Sequence, residues 1–187
     1  MRLTLVTLCI SFLTACSLPY LNPDVKILSY DEYKNALPAK KTEKFNLKGK
    51  LSLFINNEGQ TGQILWGFKD NKDTIHILNP FNTKIAEIIL FKPEKNVILK
   101  FSKNNNKDSE VLISKIFGNK ENIFILKEFI INPPKQLSDN KSITIKYKNW
   151  GIHYQGNKVI RGRILPNTIE FEKANISLKI FIADWVL

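Results

Sequence analysis

Cys9 and Cys16, His76 and His153, and the pair Glu170 and Glu172 are the residues of this 187-residue chain whose types could do chemistry. No zinc-ligand spacing can be built from Cys16 and the two histidines. His76 stands between Ile75 and Ile77, and His153 falls on a polar strand face opposite Ile152. Neither has a Ser-x-Gly or a paired carboxylate beside it, so both read as structural or solvated. Glu170 and Glu172 have the spacing that puts paired carboxylates on one strand face. Their phase, shared with Thr168 and opposite to Ile169 and Phe171, makes that face a solvated one. With no nucleophile constellation anywhere, an exported hydrolase is disfavoured, and no cofactor is implied.

The remaining chemistry is done to the chain rather than by it. Met1 to Cys16 reads MRLTLVTLCISFLTAC, with Arg2 ahead of an uncharged run from Leu3 to Ala15. A short charged start, an apolar run and small residues at a cut are the layout of a secretory signal. The run falls short of the roughly 18 apolar residues that cross a bilayer. A cysteine directly after Leu13-Thr14-Ala15 resembles the lipobox of bacterial lipoproteins, whose cysteine is diacylated, exposed by cleavage and then N-acylated. The plainer alternative is an ordinary signal peptide with a cysteine near its end. Residues 1–15 are therefore expected to be signal, 16–28 the lipidated Cys16 and a tether, and 29–187 a single domain. Pro19 and Pro23 and the lack of any periodicity mark the tether. Ser17 follows the cysteine where aspartate would retain a lipoprotein in the inner membrane, and so implies the outer membrane, on its periplasmic face.

The mature chain is long enough for one domain with a core, but not for two. Cys9 leaves with the signal and Cys16 is used by lipid, so the domain must hold itself together by burial without a disulfide. A net charge of +11 suggests nucleic acid, an anionic lipid surface or an acidic partner. Export removes nucleic acid, and the lysines are scattered rather than blocked. AT-rich coding would explain abundant lysine, asparagine and isoleucine equally well, so both readings stay open.

The positioning elements follow from hydrophobic period. Ser29-Tyr30-Asp31-Glu32 fits a capping box, and Pro38 keeps its helix short. From Phe45 the period is two: Phe45, Leu47, Leu51, Leu53 and Ile55 share one face, and Asn46, Lys48, Lys50 and Ser52 the other. After a turn at Asn56 to Gly59, Ile64, Trp66 and Phe68 continue the apolar face. Thr74 to Leu78, Ile85 to Phe91 and Lys95 to Phe101 give three more strands. The second of these is apolar on both faces and so is expected to be covered on two sides. Asp108 can cap a helix presenting Leu112, Ile113, Ile116 and Phe117, with Gly118 ending it. Asn122 to Ile131 suits either helix or strand, and helix is favoured. Strands return at Ile143 to Tyr147, then, after a one-residue slip at Lys148-Asn149, at Trp150 to Tyr154. Val159 to Ile164, Thr168 to Glu172 and Ile176 to Ile182 complete the set. The expectation is an α+β fold whose curling antiparallel sheet has about ten or eleven strands, with two or three helices on one side.

Taken in order, Lys48-Gly49, Trp66, Leu78-Asn79-Pro80-Phe81, Phe117-Gly118, Lys148-Asn149-Trp150, Leu165-Pro166 and the closing Ile176 to Trp185 resemble the family of the outer-membrane lipoprotein receptor LolB. The resemblance covers most of the mature chain. It implies an unclosed β-barrel under a helical lid with an apolar cavity between them, and no catalysis. It further implies a monomer, anchored by lipid in the outer membrane, that takes acylated lipoproteins from a soluble periplasmic carrier resembling LolA. Leu51, Leu53, Ile64, Trp66, Ile89, Leu112 and Ile116 are the expected cavity wall, with Leu178 on the same apolar pattern left unassigned. Pro80, Phe81 and Asn82 correspond to the family's membrane-insertion loop. Phe81 stands where leucine is more usual and Asn82 where glycine is common, though asparagine tolerates a left-handed backbone. The residues alone leave open whether Phe81 folds back into the core, and the resemblance favours projection. Trp66, Trp150 and Trp185 read as core side chains rather than binding groups. A lipid-anchored structural or assembly factor is the alternative from another class.

Overall fold

A computed structural model describes residues 25–37, 44–91, 96–103, 106–138 and 142–187. Cys16, the signal and the tether up to residue 24 lie outside the described residues, as does Pro38. Ten strands form a single sheet: β1 (Lys26–Ser29), β2 (Phe45–Ile55), β3 (Glu58–Lys69), β4 (Lys72–Leu78), β5 (Lys84–Phe91), β6 (Asn96–Phe101), β7 (Ser142–Tyr147), β8 (Trp150–Ile160), β9 (Arg163–Lys173) and β10 (Ile176–Val186). Their spatial order is β1-β7-β8-β9-β10-β2-β3-β4-β5-β6. Strand β1 and strand β6 each pair on one side only, so the barrel is unclosed.

Short turns dictate most of this order. Two residues join β2 to β3, β3 to β4, β7 to β8, β8 to β9 and β9 to β10, which forces antiparallel neighbours. Asn56, Asn57, Asp70 and Asn71 all take positive φ there, the backbone that suits the twist of the flanking strands. Lys148 also has positive φ, and the predicted slip at Lys148-Asn149 is the β7–β8 hairpin.

One pair departs from the expected antiparallel pattern. Strand β1 runs parallel to β7, with Leu28 opposite Ile145. Lys26 to Leu28, counted by sequence with the tether, therefore belong to the sheet. Ser29 then caps α1 (Tyr30–Asn35): its side chain accepts the Glu32 N–H, and the Glu32 carboxylate accepts the Ser29 N–H at 2.7 Å. That capping box matches the sequence reading.

Two longer helices, α2 (Lys107–Phe117) and α3 (Lys120–Ile131), cover one face of the sheet. Asn106, rather than the expected Asp108, caps α2, accepting the Asp108 N–H at 3.0 Å. Asn119 does the same for α3, and the ambiguous segment is helical. Leu112, Ile113, Ile116 and Phe117 from α2, with Ile123, Leu126, Phe129 and Ile130 from α3, join the inward strand side chains in one apolar cluster. Strand β2 alternates buried and solvent-facing residues as its period predicted. Strand β5 meets its expectation only in part. Ala86, Ile88 and Leu90 enter the cluster, while on the opposite face Ile89 is buried and Glu87 and Phe91 are partly exposed.

Candidate functional site

The interior is built from alternate residues of nearly every strand, closed over by the two helices. Among the expected wall residues, Leu51, Leu53, Ile64, Trp66, Leu112 and Ile116 lie together in the cluster, each almost fully buried, and Leu178 joins them. Ile89 does not. It sits between the inward Ile88 and Leu90, so its side chain points to the other face, beside Thr74 and Ile98 on the neighbouring strands. A strand that is apolar on both sides gives periodicity nothing to choose with. Trp150 and Trp185 are buried, as expected of core tryptophans, and Trp185 donates its indole N–H to the Pro166 carbonyl at 3.3 Å.

The interior also holds a polar cluster that the sequence reading missed. The Asp73 carboxylate accepts the Trp66 indole N–H at 2.9 Å and the Lys127 ammonium at 2.6 Å. That ammonium lies 3.4 Å from the centroid of the Phe68 ring. In the sequence Asp73 closes the polar run Asp70-Asn71-Lys72-Asp73, which reads as a turn. Its phase with Ile75 and Ile77 was the available signal that it points inward.

Helix α3 is fixed at its far end as well. Its last carbonyls lack partners within the helix, and side chains from three other elements supply them. Tyr154 donates to the Phe129 carbonyl at 2.8 Å, Arg163 to that of Ile131 at 3.1 Å, and Tyr33 to that of Asn132 at 2.8 Å. Burial pushes the hydroxyls of Tyr154 and Tyr33 well above the usual tyrosine range, which keeps both as donors. Helix α2 has less polar support. Among the described residues, its side chains make one hydrogen bond to the sheet, between the Ser109 hydroxyl and Gln60 Oε1 at 2.5 Å.

Outside the interior, one loop stands apart. Asn79 to Thr83 joins β4 to β5, and Asn79 organises it. The Asn79 side-chain oxygen accepts the N–H groups of Phe81 at 2.9 Å and Thr83 at 3.0 Å, and its carbonyl accepts that of Asn82 at 3.0 Å. Asn82 takes the left-handed backbone, φ 63°, and its side chain accepts a hydrogen bond from Gln63 at 2.5 Å. A Cβ on Gly62 would lie 2.3 Å from the Leu78 carbonyl oxygen, so only glycine lets β3 pass the root of this loop. Pro80 precedes the projecting residue. Phe81 is 88% exposed, so it projects rather than folding back. Between this loop and the start of α2 lies a surface hollow of about 390 Å³, bounded by Pro80, Lys84, Ile85, Asn106, Ser109 and Gln60.

The other chemical candidates are engaged on the outer face. His76 lies 3.4 Å from Glu87. Burial opposes ionisation of Glu87, but the His76 hydrogen bond and the charges of Lys84 and Lys100 outweigh it and lower its pKa. His153 contacts Thr144 at 2.9 Å and Glu172 at 3.3 Å, while Glu170 pairs with Lys179 at 2.9 Å. Glu170 and Glu172 thus have separate partners rather than acting on each other.

Among the described residues no helix is long and apolar enough to cross a membrane. Residues 43–185 match the family model described as "Outer membrane lipoprotein LolB". A relative from Tolumonas auensis, named outer-membrane lipoprotein LolB, is 23% identical over the whole of this chain and 96% of its own length. The crystal structure of a DUF1329 family protein from Desulfovibrio piger aligns with a TM-score of 0.38 and 8% identity, over 83% of this chain and 90% of that one.

Proposed function

The chain belongs to the LolB family of outer-membrane lipoproteins, and on that premise we propose that it receives lipoproteins from a soluble LolA-like periplasmic carrier and places their acyl chains in the outer membrane. In this reading residues 1–15 are a signal, Cys16 carries the acyl anchor, and the domain that follows acts as a monomer on the periplasmic face. No bond is made or broken in the cargo. The observation that carries the reading is the pairing of a greasy interior under two helices with a loop whose Phe81 is 88% exposed.

Acyl chains offer only apolar surface, and each methylene moved out of water contributes about 0.8 kcal/mol. The interior supplies matching surface in Leu51, Leu53, Ile64, Leu112 and Ile116, which now fill it themselves. Cargo binding is then an exchange of contacts, in which acyl chains replace helix side chains against the strands. Transfer runs downhill on a small difference in affinity between carrier and receptor, since the chains never enter water. The basic charge of the domain attracts an acidic rim on the carrier. Phe81 dips into the lipid interface, where an aromatic side chain is well suited.

The test is a transfer assay. An acylated lipoprotein held by its purified carrier is mixed with this protein in the absence of ATP. Movement of cargo to the receptor and on into liposomes is the expected result. A folded protein that accepts no cargo would overturn the reading.

A further inference from the structure

We infer that acyl chains enter and leave the interior beneath α2, by the hollow that opens toward the Phe81 loop, while α3 stays docked on the sheet. The inference rests on the receptor reading and concerns the route within it.

The two covering helices are held by different kinds of contact. Helix α3 is fixed in its middle by the Lys127–Asp73 pair and at its end by Tyr154, Arg163 and Tyr33. Lifting it would strand a buried charge and leave helix carbonyls unpartnered, and an acyl chain can repair neither. Helix α2 rests mainly on Leu112, Ile113, Ile116 and Phe117. Contacts of that kind are non-directional, and an incoming acyl chain replaces them methylene for methylene. Its one side-chain hydrogen bond to the sheet among the described residues, Ser109 to Gln60, is within reach of solvent groups once broken.

Position agrees with this division. Ser109 and Gln60 both border the hollow of about 390 Å³, whose other side is Pro80 at the root of the projecting loop. A chain released under the start of α2 therefore emerges beside Phe81. At the opposite end of α2, Gly118 and Asn119 make the corner with α3, and a Cβ on Gly118 would lie 2.4 Å from the Ser114 carbonyl oxygen. A tight corner of two residues next to a docked helix is a natural pivot.

Two cross-links test the route in the full chain, with a synthetic triacylated lipopeptide as probe. Q60C/S109C, joined by a short bifunctional thiol reagent, clamps the start of α2. A36C/K135C, whose backbones are hydrogen bonded at 3.1 Å, clamps the segment just after α3. The unsubstituted chain treated with the same reagent controls for Cys9 and Cys16. The expected result is that the first clamp lowers lipopeptide binding by about tenfold or more, through loss of the competent state, whereas the second leaves it unchanged. Full binding with the first clamp in place, or equal loss with both, would overturn the route and leave the receptor reading standing. No binding by the unclamped chain would overturn both. Deuterium exchange on the unsubstituted chain guards against misfolded variants. Amides of Lys107 to Phe117 should exchange faster than those of Leu126 to Ile131, and equal rates would also sink the inference.

Discussion

The Lys127 ammonium lies 2.6 Å from the Asp73 carboxylate with both side chains almost wholly out of water, linking the second covering helix to the fourth strand across the interior. The carboxylate's other oxygen is taken by the Trp66 indole, so its lone pairs are shared between helix and sheet.

Breaking one side of such a pair leaves a buried charge without a partner, at a cost of about 3–5 kcal/mol. Lys127→Met should therefore destabilise the protein by that order in urea unfolding. Adding Asp73→Asn keeps an acceptor for Trp66 and removes the charge, so the double variant should recover most of the loss. An additive double variant would contradict the coupling.

Phe81→Glu should leave folding and receipt of cargo intact while blocking delivery to liposomes. Burial of a phenylalanine side chain stabilises by about 1.5–3 kcal/mol, which corresponds to about a ten- to hundredfold loss in delivery. Normal delivery by the variant would remove Phe81 from the insertion step.

Asn79→Ala removes the acceptor of two loop N–H groups, those of Phe81 and Thr83. The loop should lose its fixed shape and delivery should fall, with global stability changed by only about 1 kcal/mol. Thermal unfolding beside the liposome assay separates the two effects.

Carrier binding should weaken as salt is raised, because attraction between a basic receptor and an acidic rim is screened. Affinity that holds constant across a salt series would place recognition in apolar contact alone.

Glu87 has a pKa below the usual carboxylate value, so it adds stability above the unfolded-state pKa and loses it as pH falls through the lower folded value. Glu87→Gln should therefore lower stability at neutral pH, leave it little changed at strongly acid pH, and so flatten the acid limb of the stability profile. An unchanged acid limb would assign the acid response to other carboxylates.

Strand faces were legible wherever one side was polar. Phe45 to Ile55 and Ile176 to Ile182 declared their inward residues by alternation alone, and the burial of β2 follows it residue by residue. Ile89 was misplaced because its strand is apolar on both sides, which leaves the phase undetermined. Lys26 to Ser29 was invisible as a strand because its partner, Ile143 to Lys146, is distant in sequence and parallel. Asp73 hid behind two genuine turn residues. The hold of Tyr154, Arg163 and Tyr33 on the end of α3 has no local pattern, since only the completed fold brings three side chains to one helix terminus. The loop was the reverse case: Asn-Pro-Phe-Asn spelled out its turn chemistry, while the direction taken by Phe81 awaited three dimensions.

The pairing of Lys26–Ser29 with the seventh strand also sets a leash. From Cys16 to Lys26 is ten residues, and even fully extended such a segment spans only about 35 Å. A domain moored through Cys16 would work within roughly its own diameter of the bilayer. Phe81 could then sweep only a small disc of membrane around the mooring point, and incoming carriers would have to come down to that level to meet it.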